Sequence, residues 1–568
     1  MGGERDQLVV AVDYGTTTSV VAFGYAAQQD IITVVDEYPN VTSRLTCEVY
    51  PTEIVYDSNG TVRIGHQIQQ DEPRFQFFKL DLNENRGYEA SYVAKKYPNA
   101  MAKQPTAQDK SAQEMTTDYL RELHKITQAY ISGKLGKAVL ATTQVQYVLT
   151  VPAMWSDKGK ELTRSCARAA GFGARIHLIS EPEAAVTHAL DAIRNSNLKT
   201  GDTFVCCDAG GGTGDLISYT IVSLGNSQPI QVKEAASGTG DLCGSSFVNN
   251  KFRQWFIERF HGEPGYDEDA LEDAMQEFEL LKRDFTGDGD KFVIRVFGLG
   301  NIPDKNIKKN RLSLTLAQME TFHSDVVSTL TTLVKSQIKA TKSAVKAVLL
   351  VGGFGQSEYL KRQIQNVVGP GVEVIQPPKG QVAIARGALL QGFALTNSKP
   401  SRVMVGSRVA RKAFGVDCMI PFDARLHNSA DREWCEYGGY YRVSAVEWFV
   451  RKGDELRQER PVTYSFYRYG LQSHGKLKDA ADHIQVYDDK GAESPSKYPI
   501  PVGTRKHLTI QSKLSSIPVR ALRKTTGSDG KKYYHLDYEI RFTFFSAHTE
   551  YSLWSDDVCY GKAEAEYE

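Results

Sequence analysis

Two stretches far apart in the chain share one grammar of apolar and polar positions. Leu8-Val-Val-Ala-Val-Asp13-Tyr-Gly15-Thr-Thr-Thr18 and Phe204-Val-Cys-Cys-Asp208-Ala-Gly210-Gly-Gly-Thr213 each run a short apolar segment into an Asp and place a Gly just beyond it. Each then turns through hydroxyl or glycine residues into a second apolar run. Repetition of the whole strand, turn, strand unit predicts a duplication in which each copy opens one half of a larger domain. Helical periodicity follows each copy: over Tyr119 to Ile131 and Asp157 to Ala170 after the first, and over Phe247 to Phe260 and Asp269 to Phe285 after the second. Thr315 and Gln318 form a capping-box signature ahead of a stripe of Leu316, Met319, Phe322, Val326, Leu330, Leu333 and Ile338, which reads as a core-facing helix surface. The strand Ala347 to Val351 runs through Gly352-Gly353-Phe-Gly355 into a helix over Ser357 to Val367. From Val403 the period changes to two, as in Leu536, Tyr538, Ile540, Phe542 and Phe544 alternating with polar residues. The turn cluster Thr526-Gly-Ser-Asp-Gly530 precedes that run. The pattern therefore predicts α/β layers followed by a mostly β domain.

Length and charge narrow the class. A chain of 568 residues accommodates several folded units, and 41% hydrophobic with 24% charged residues is an ordinary globular mixture. Lys and Arg total 68 and Asp and Glu also total 68, so no net field favours nucleic acid or an anionic membrane, and any anion site must be local. No run reaches the roughly 18 apolar residues of a membrane span, and the polar start Met1 to Asp6 lacks a signal-peptide core; this predicts a soluble intracellular protein. Gly2 is discounted as a lipidation site, because Asp6 stands where that signal wants Ser or Thr. The eight cysteines show no CxxC pair and no Cys/His ligand spacing, which reads as reduced, mostly buried thiols.

The hairpins carry the candidate chemistry. A glycine-rich turn lets backbone N–H groups approach phosphate oxygens, and Thr16, Thr17 and Thr213 add hydroxyls. Two such turns face to face would grip a polyphosphate, with Asp13 and Asp208 at the strand ends directed at a hydrated Mg²⁺. One hairpin alone is more simply a β-turn with a capping Asp; the pair points to phosphate. Phosphoryl transfer needs positioning, charge neutralisation and an oriented water, so no Ser/His/Asp triad is expected. Neither a P-loop nor a complete dinucleotide fingerprint occurs in the chain.

Val12-Asp13-Tyr-Gly15-Thr-Thr17, Asp208-Ala-Gly-Gly-Gly-Thr213 and Leu350-Val-Gly352-Gly353 resemble the phosphate-1, phosphate-2 and adenosine motifs of the actin, hexokinase and heat-shock ATPase superfamily. Val151-Pro152-Ala153, Ser180-Glu181-Pro182-Glu-Ala-Ala185, Leu242-Cys-Gly244-Ser-Ser-Phe247 and Glu279-Leu-Leu-Lys282-Arg283 resemble, in order and spacing, the seventy-kilodalton heat-shock protein family. The resemblance implies a duplicated actin-like (ribonuclease H-like), two-lobed ATPase domain with lobes at 1–200 and 201–395, a linker at 396–402 and a β-rich domain for substrate or partner at 403–568. It implies ATP/ADP and Mg²⁺ as cofactors, with Asp13 and Asp208 on the metal side. Gly15, Thr16, Thr17, Gly210, Gly211, Gly212 and Gly244 would lie around the phosphates, and Glu279, Lys282, Arg283, Gly352 and Gly353 around the nucleoside. Asp208 would orient the attacking water, Thr213 resembles the γ-phosphate hydroxyl, and Lys79 resembles the lysine that neutralises the transferred phosphate. A solvated surface lysine is the alternative for Lys79, and a solvated charge pair the alternative for Glu279 with Lys282 and Arg283. Glu181 resembles the carboxylate of the interdomain relay, and Pro152 with Lys160 its proline switch and basic partner.

Departures from the family pattern lie in the adenosine motif and, more extensively, toward the C-terminus, where the β domain resembles the family's only in gross pattern. Phe354, Gly355 and Gln356 replace the expected serine and adenine-stacking arginine, Gln381 replaces an acid on the ribose side, and Lys399 to Gly406 is basic where the family linker is acidic. The chain reaches Glu568 without a long helical lid, which resembles the divergent, lidless branch of eukaryotes. The expected function is slow ATP hydrolysis coupled to binding of a client polypeptide or dedicated protein partner, with J-domain and nucleotide-exchange cochaperones and with neither nucleic acid nor membrane. The expected location is the cytoplasm, with the nucleus as a further compartment. A sugar or polyol kinase on the same ATPase fold and a nucleotide-sensing module with negligible turnover are the alternatives.

Overall fold

The computed structural model describes residues 7–40, 47–69, 72–83, 110–193, 197–225, 229–396, 401–488, 495–562 and 564–567. The start Met1 to Asp6 and positions 397–400 of the expected linker lie outside them. The chain divides into two compact units, Met1–Val405 and Gly406–Glu568.

The first unit contains the duplication. Leu8–Tyr14 is buried almost throughout, as a central strand covered on both faces must be. Thr18–Tyr25 returns antiparallel along one side of it, with Asp13 opposite Val20. Val145–Val151 and then Ile176–Ser180 follow in parallel on the other side. The second copy repeats this order: Gly214–Ser223 returns along Thr203–Ala209 with Asp208 opposite Asp215, and Val345–Val351 and Glu373–Ile375 follow in parallel. Both hairpins therefore put their turns at the same end of equivalent sheets.

Two helices tie the sheets together by exchange. Ala383–Thr396, last in the second half, packs on Leu8–Tyr14, Thr18–Tyr25 and Val145–Val151 of the first. Glu181–Ala192, from the first half, packs on Thr203–Ala209, Gly214–Ser223 and Val345–Val351 as well as on its own sheet. The helices meet so closely that a Cβ on Gly387 would lie 1.8 Å from the Ala184 carbonyl oxygen, and one on Gly392 would lie 2.7 Å from Val9 and Val148. One apolar core, with Val9, Ala11, Ala185, Phe204, Leu349 and Leu389 among its members, runs through both halves. A second core lies under Ser246–Phe260, whose Phe252 stacks on Phe278 at 4.0 Å.

Local sequence signals account for most element ends. The Thr315–Gln318 capping box starts Leu316–Ala340, and Ser357 caps Glu358–Val368. The helix expected over Tyr119 to Ile131 is longer, Ala112–Leu135, because a Ser111–Glu114 capping box starts it before its apolar stripe begins. The buried face of Leu316–Ala340 also includes His323 and Gln337. Gln337 donates to the Ser218 hydroxyl and the Ser237 carbonyl, so its burial leaves no donor orphaned there.

The second unit is a β-sandwich. One antiparallel sheet runs Glu433–Cys435, Tyr440–Val450, Ala413–Pro421, Ala480–Tyr487, Arg505–Ser512 and Glu564–Tyr567; the other is built on Val462–Leu471, Lys532–Phe544, Thr549–Ser555 and Val558–Lys562. Their inner faces supply one core that includes Val416, Ile484, Leu508, Leu536, Ile540 and Phe542. Lys532–Phe544 alternates as its period-two pattern requires, and Thr526 to Gly530 turns Arg523–Thr526 into it. Among the described residues this unit contains no α-helix, and no helix of either unit is long and apolar enough to cross a membrane. All eight cysteines are free thiols, five of them buried.

Candidate functional site

The two hairpin turns open onto one cleft of about 390 Å³ in the first unit. Every nucleotide-site candidate lines it except Gly244, which lies beneath: a Cβ there would fall 2.1 Å from the Gly211 carbonyl carbon. Gly244 thus shapes the glycine turn from below. Ser245 and Ser246 backbone N–H groups donate to the Gly210 and Gly211 carbonyls, Gly244 N–H donates to the Gly212 carbonyl, and the Ser246 hydroxyl donates to Gly211 at 2.6 Å. With its carbonyls held from behind, the turn keeps the Gly211 and Gly212 N–H groups without a backbone partner among the described residues. Such an array suits an anion.

The turns fit each other as tightly. A Cβ on Gly211 would lie 2.0 Å from Thr17 Oγ1, and one on Gly212 would lie 2.9 Å from Thr16 Cγ2. Gly352 adopts φ 83°, and a Cβ there would lie 2.4 Å from Asp208 Oδ1. Glycine is required at both places, by contact at Gly211 and by contact and backbone together at Gly352.

Three carboxylates and a lysine stand at the cleft floor. Lys79 is 1% exposed, which removes the surface-lysine alternative. Its ammonium donates to Glu181 Oε1 at 2.9 Å and to the Tyr14 carbonyl, and lies over the rings of Tyr14 and Trp155. Lys79 is carried on the short turn Phe78–Leu82, entered through Phe77 in a left-handed conformation with φ 62°. That φ is strained for an aromatic residue. Phe77 is held by stacking on Phe247 of the second half, at 6.1 Å. Asp13 Oδ1 accepts from the Thr150 hydroxyl at 2.7 Å. Burial, then the Glu181 charge, pushes Asp13 up to about 7 against the opposing pull of Lys79 and Thr150. Burial, then Glu181, Asp215 and Asp13, raises Asp208 as well, with Lys79 again opposing.

At the helix side of the cleft, Glu279 accepts from Lys282 at 2.6 Å, from Arg283 at 3.0 Å and from Asn249 at 2.7 Å. Burial opposes its ionisation, but these partners hold its carboxyl below the ordinary range, while burial lowers Lys282. Lys282 is buried, so the trio is more than a solvated charge pair. Phe354 belongs to the second core while its edge lines the cleft with Gln356 and Gln381. Gln356 packs on Gly380, whose carbonyl accepts from Gly352 N–H. Pro152 and Lys160 do not line the cleft; Lys160 is buried and lies 3.7 Å from Asp157.

Sequence reasoning did not find Thr150, Trp155, Asn249 or the Tyr14 carbonyl. Thr150 follows in principle from the parallel register, since its strand runs beside the one that ends in Asp13. The other three depend on contacts between distant segments, such as that of Asn249 on one helix with Glu279 on another, which no local pattern specifies.

Duplicated sheets, exchanged helices and a cleft between paired phosphate-type turns define a two-lobed, actin-like ATPase fold, here followed by a β-sandwich. The profile of the Hsp70 protein family matches residues 9–420. The chain belongs to that family. Among its relatives are the stromal 70 kDa heat shock-related protein of Pisum sativum chloroplasts, 24% identical over 70% of this chain and 54% of the relative; a chaperone protein HscA homolog of Chromobacterium violaceum, 25% identical over 73% and 63%; and the chaperone protein dnaK1 of a Nostoc species, 26% identical over 68% and 54%. The chain therefore matches little more than half the length of these relatives.

Proposed function

We propose that this chain binds ATP and ADP across its two hairpins, hydrolyses ATP slowly to ADP and phosphate, and uses the nucleotide state to bias polypeptide binding by its β-sandwich. The observation that carries this reading is the cleft floor, where the unpartnered N–H groups of Gly211 and Gly212 face the same space as Asp13, Asp208 and Lys79. The donors would hold the terminal phosphates, with Thr16, Thr17 and Thr213 adding hydroxyls. Lys79 would stand against the charge that develops on the transferred phosphoryl group. Asp208 would accept a hydrogen bond from the attacking water and orient it as its oxygen bonds to phosphorus and ADP departs with the electron pair of the broken bond.

The residues present suit Mg²⁺. Asp13, Asp208 and Glu181 set three carboxylates against the single ammonium of Lys79, and their mutual repulsion adds to the burial that raises Asp13 and Asp208. A divalent cation held through Asp13 and Asp208, largely by way of waters, would supply the missing positive charge. The client would be an extended polypeptide, and J-domain and exchange cochaperones would act on the same cycle.

Single-turnover hydrolysis of radiolabelled ATP with Mg²⁺, run with and without an unfolded peptide and beside a sugar panel, tests the reading. Slow release of free phosphate that changes with peptide supports it. Label on a sugar would make the chain a kinase, and tight binding without turnover would leave a nucleotide sensor.

A further inference from the structure

The small antiparallel sheet Lys291–Arg295, Arg311–Thr315 and Ile307–Lys308 has one covered face and one open face. Ile294, Val296, Ile307, Leu312 and Leu314 are buried, while Lys291, Val293, Arg295 and Phe297 alternate with them toward solvent. Register places Arg295 directly opposite Arg311, and Arg311 directly opposite Lys308, so three cations stand side by side across the sheet. Lys309 follows at the hairpin tip with φ 52°, a left-handed position where Asn or Gly is the ordinary choice. Glu277 reaches one of these cations, at 3.7 Å from Arg295. Among the described residues no carboxylate lies within ion-pair distance of Arg311, Lys308 or Lys309.

Like charges directly opposite on a sheet destabilise it. Keeping an exposed strand from pairing with another needs one lysine, not a row of three cations. Val293 and Phe297 are each nearly half exposed beside that row, on a face that is otherwise polar. Cations in a line flanked by two apolar side chains complement carboxylates spaced around apolar residues.

We propose that this face docks an acidic segment of a partner protein that carries apolar side chains between its carboxylates. The partner's carboxylates would sit on Arg295, Arg311 and Lys308, and its apolar side chains on Val293 and Phe297. Single-stranded nucleic acid fits less well, because such sites stack successive bases on several aromatic rings and this face has one. The proposal stands independently of the nucleotide reading, since none of these residues lines the cleft.

The test is fluorescence anisotropy of a labelled peptide alternating Glu with Leu and Phe, titrated with the full chain, beside its Gln-for-Glu counterpart and a labelled oligouridylate. Binding of the acidic peptide should weaken about ten-fold in Arg311→Glu and again in the Lys308→Glu double variant, and should weaken as salt rises from about 0.05 to about 0.3 M. Val293→Ser should weaken it by a smaller factor. Unchanged thermal unfolding in these surface variants separates lost docking from lost structure. Equal binding of the Gln peptide, indifference to Arg311→Glu in the folded protein, or tighter binding of oligouridylate at the same residues would each overturn the proposal.

Discussion

The two hairpins share a sheet order and a strand-end Asp, yet they meet the cleft by different means. The first presents side chains: Thr16 and Thr17 supply hydroxyls, and Asp13 is steadied by the Thr150 hydroxyl. The second presents backbone: three glycines are clamped from behind by Gly244 to Ser246, and Gly352 leaves beside Asp208 no room for a side chain. A side chain can be shortened with local loss, whereas a backbone donor cannot be moved without moving the turn. Duplication thus conserved a frame while dividing the chemistry into one adjustable and one rigid half.

The largest effect is expected where both halves depend on one group. Lys79 acts electrostatically on Asp13 and Asp208 alike, so Lys79→Ala should lower single-turnover hydrolysis by about 100-fold or more with the fold intact. A rate near wild type would remove Lys79 from the chemistry. Next, Gly211→Ala should weaken ATP affinity by about 100-fold, because the new Cβ meets Thr17 Oγ1. Thr17→Ala alone should cost only about ten-fold. Because the clash is with Thr17, the double variant should bind better than Gly211→Ala. Strict additivity in isothermal titration would break the contrast between rigid and adjustable turns.

Smaller effects test the frame itself. Gly387→Ala should destabilise the first unit by about 1 to 3 kcal/mol in denaturant unfolding, since no side chain fits against Ala184. An unchanged midpoint would mean that the exchanged helices can separate without strain. In the β-sandwich, burial raises Asp482 although it accepts from Arg468, Tyr538 and Ser512. A carboxyl raised in the folded state favours the fold when protonated. Its contribution is therefore intact below the unfolded value of 3.8 and is lost as pH rises through the folded value. Stability should fall slightly over that window, and Asp482→Asn should flatten the slope.

Much of this was legible in the chain because it is local. The strand-end Asp residues, the glycine cluster and the capping box at Thr315 are each written within a few consecutive positions. The β-sandwich strand at Leu536 to Phe544 showed itself by period alone, and its buried and exposed residues alternate accordingly. What stayed hidden depends on distant segments meeting. Lys79 is buried on a turn whose entry residue, Phe77, stacks on Phe247 of the second half, and no pattern around Lys79 announces that contact. Ser246 gave no local sign that it clamps Gly211, and Asn249 none that it holds Glu279. Gln337 falls on a buried helix face because its partner Ser218 is brought to it only by the fold, whereas His323 beside it uses the Met319 carbonyl of its own helix.

The exchanged helices limit how the chain can be divided. Each half of the first unit lends a helix to the other's sheet, so neither sheet is covered by its own sequence alone. A chain severed between the halves would leave each fragment with a bare apolar slab, and the fragments would be insoluble apart but able to complement one another when mixed. Because both halves lie in one chain, the joining of the two sheets is a step in the folding of a single molecule rather than a meeting of two.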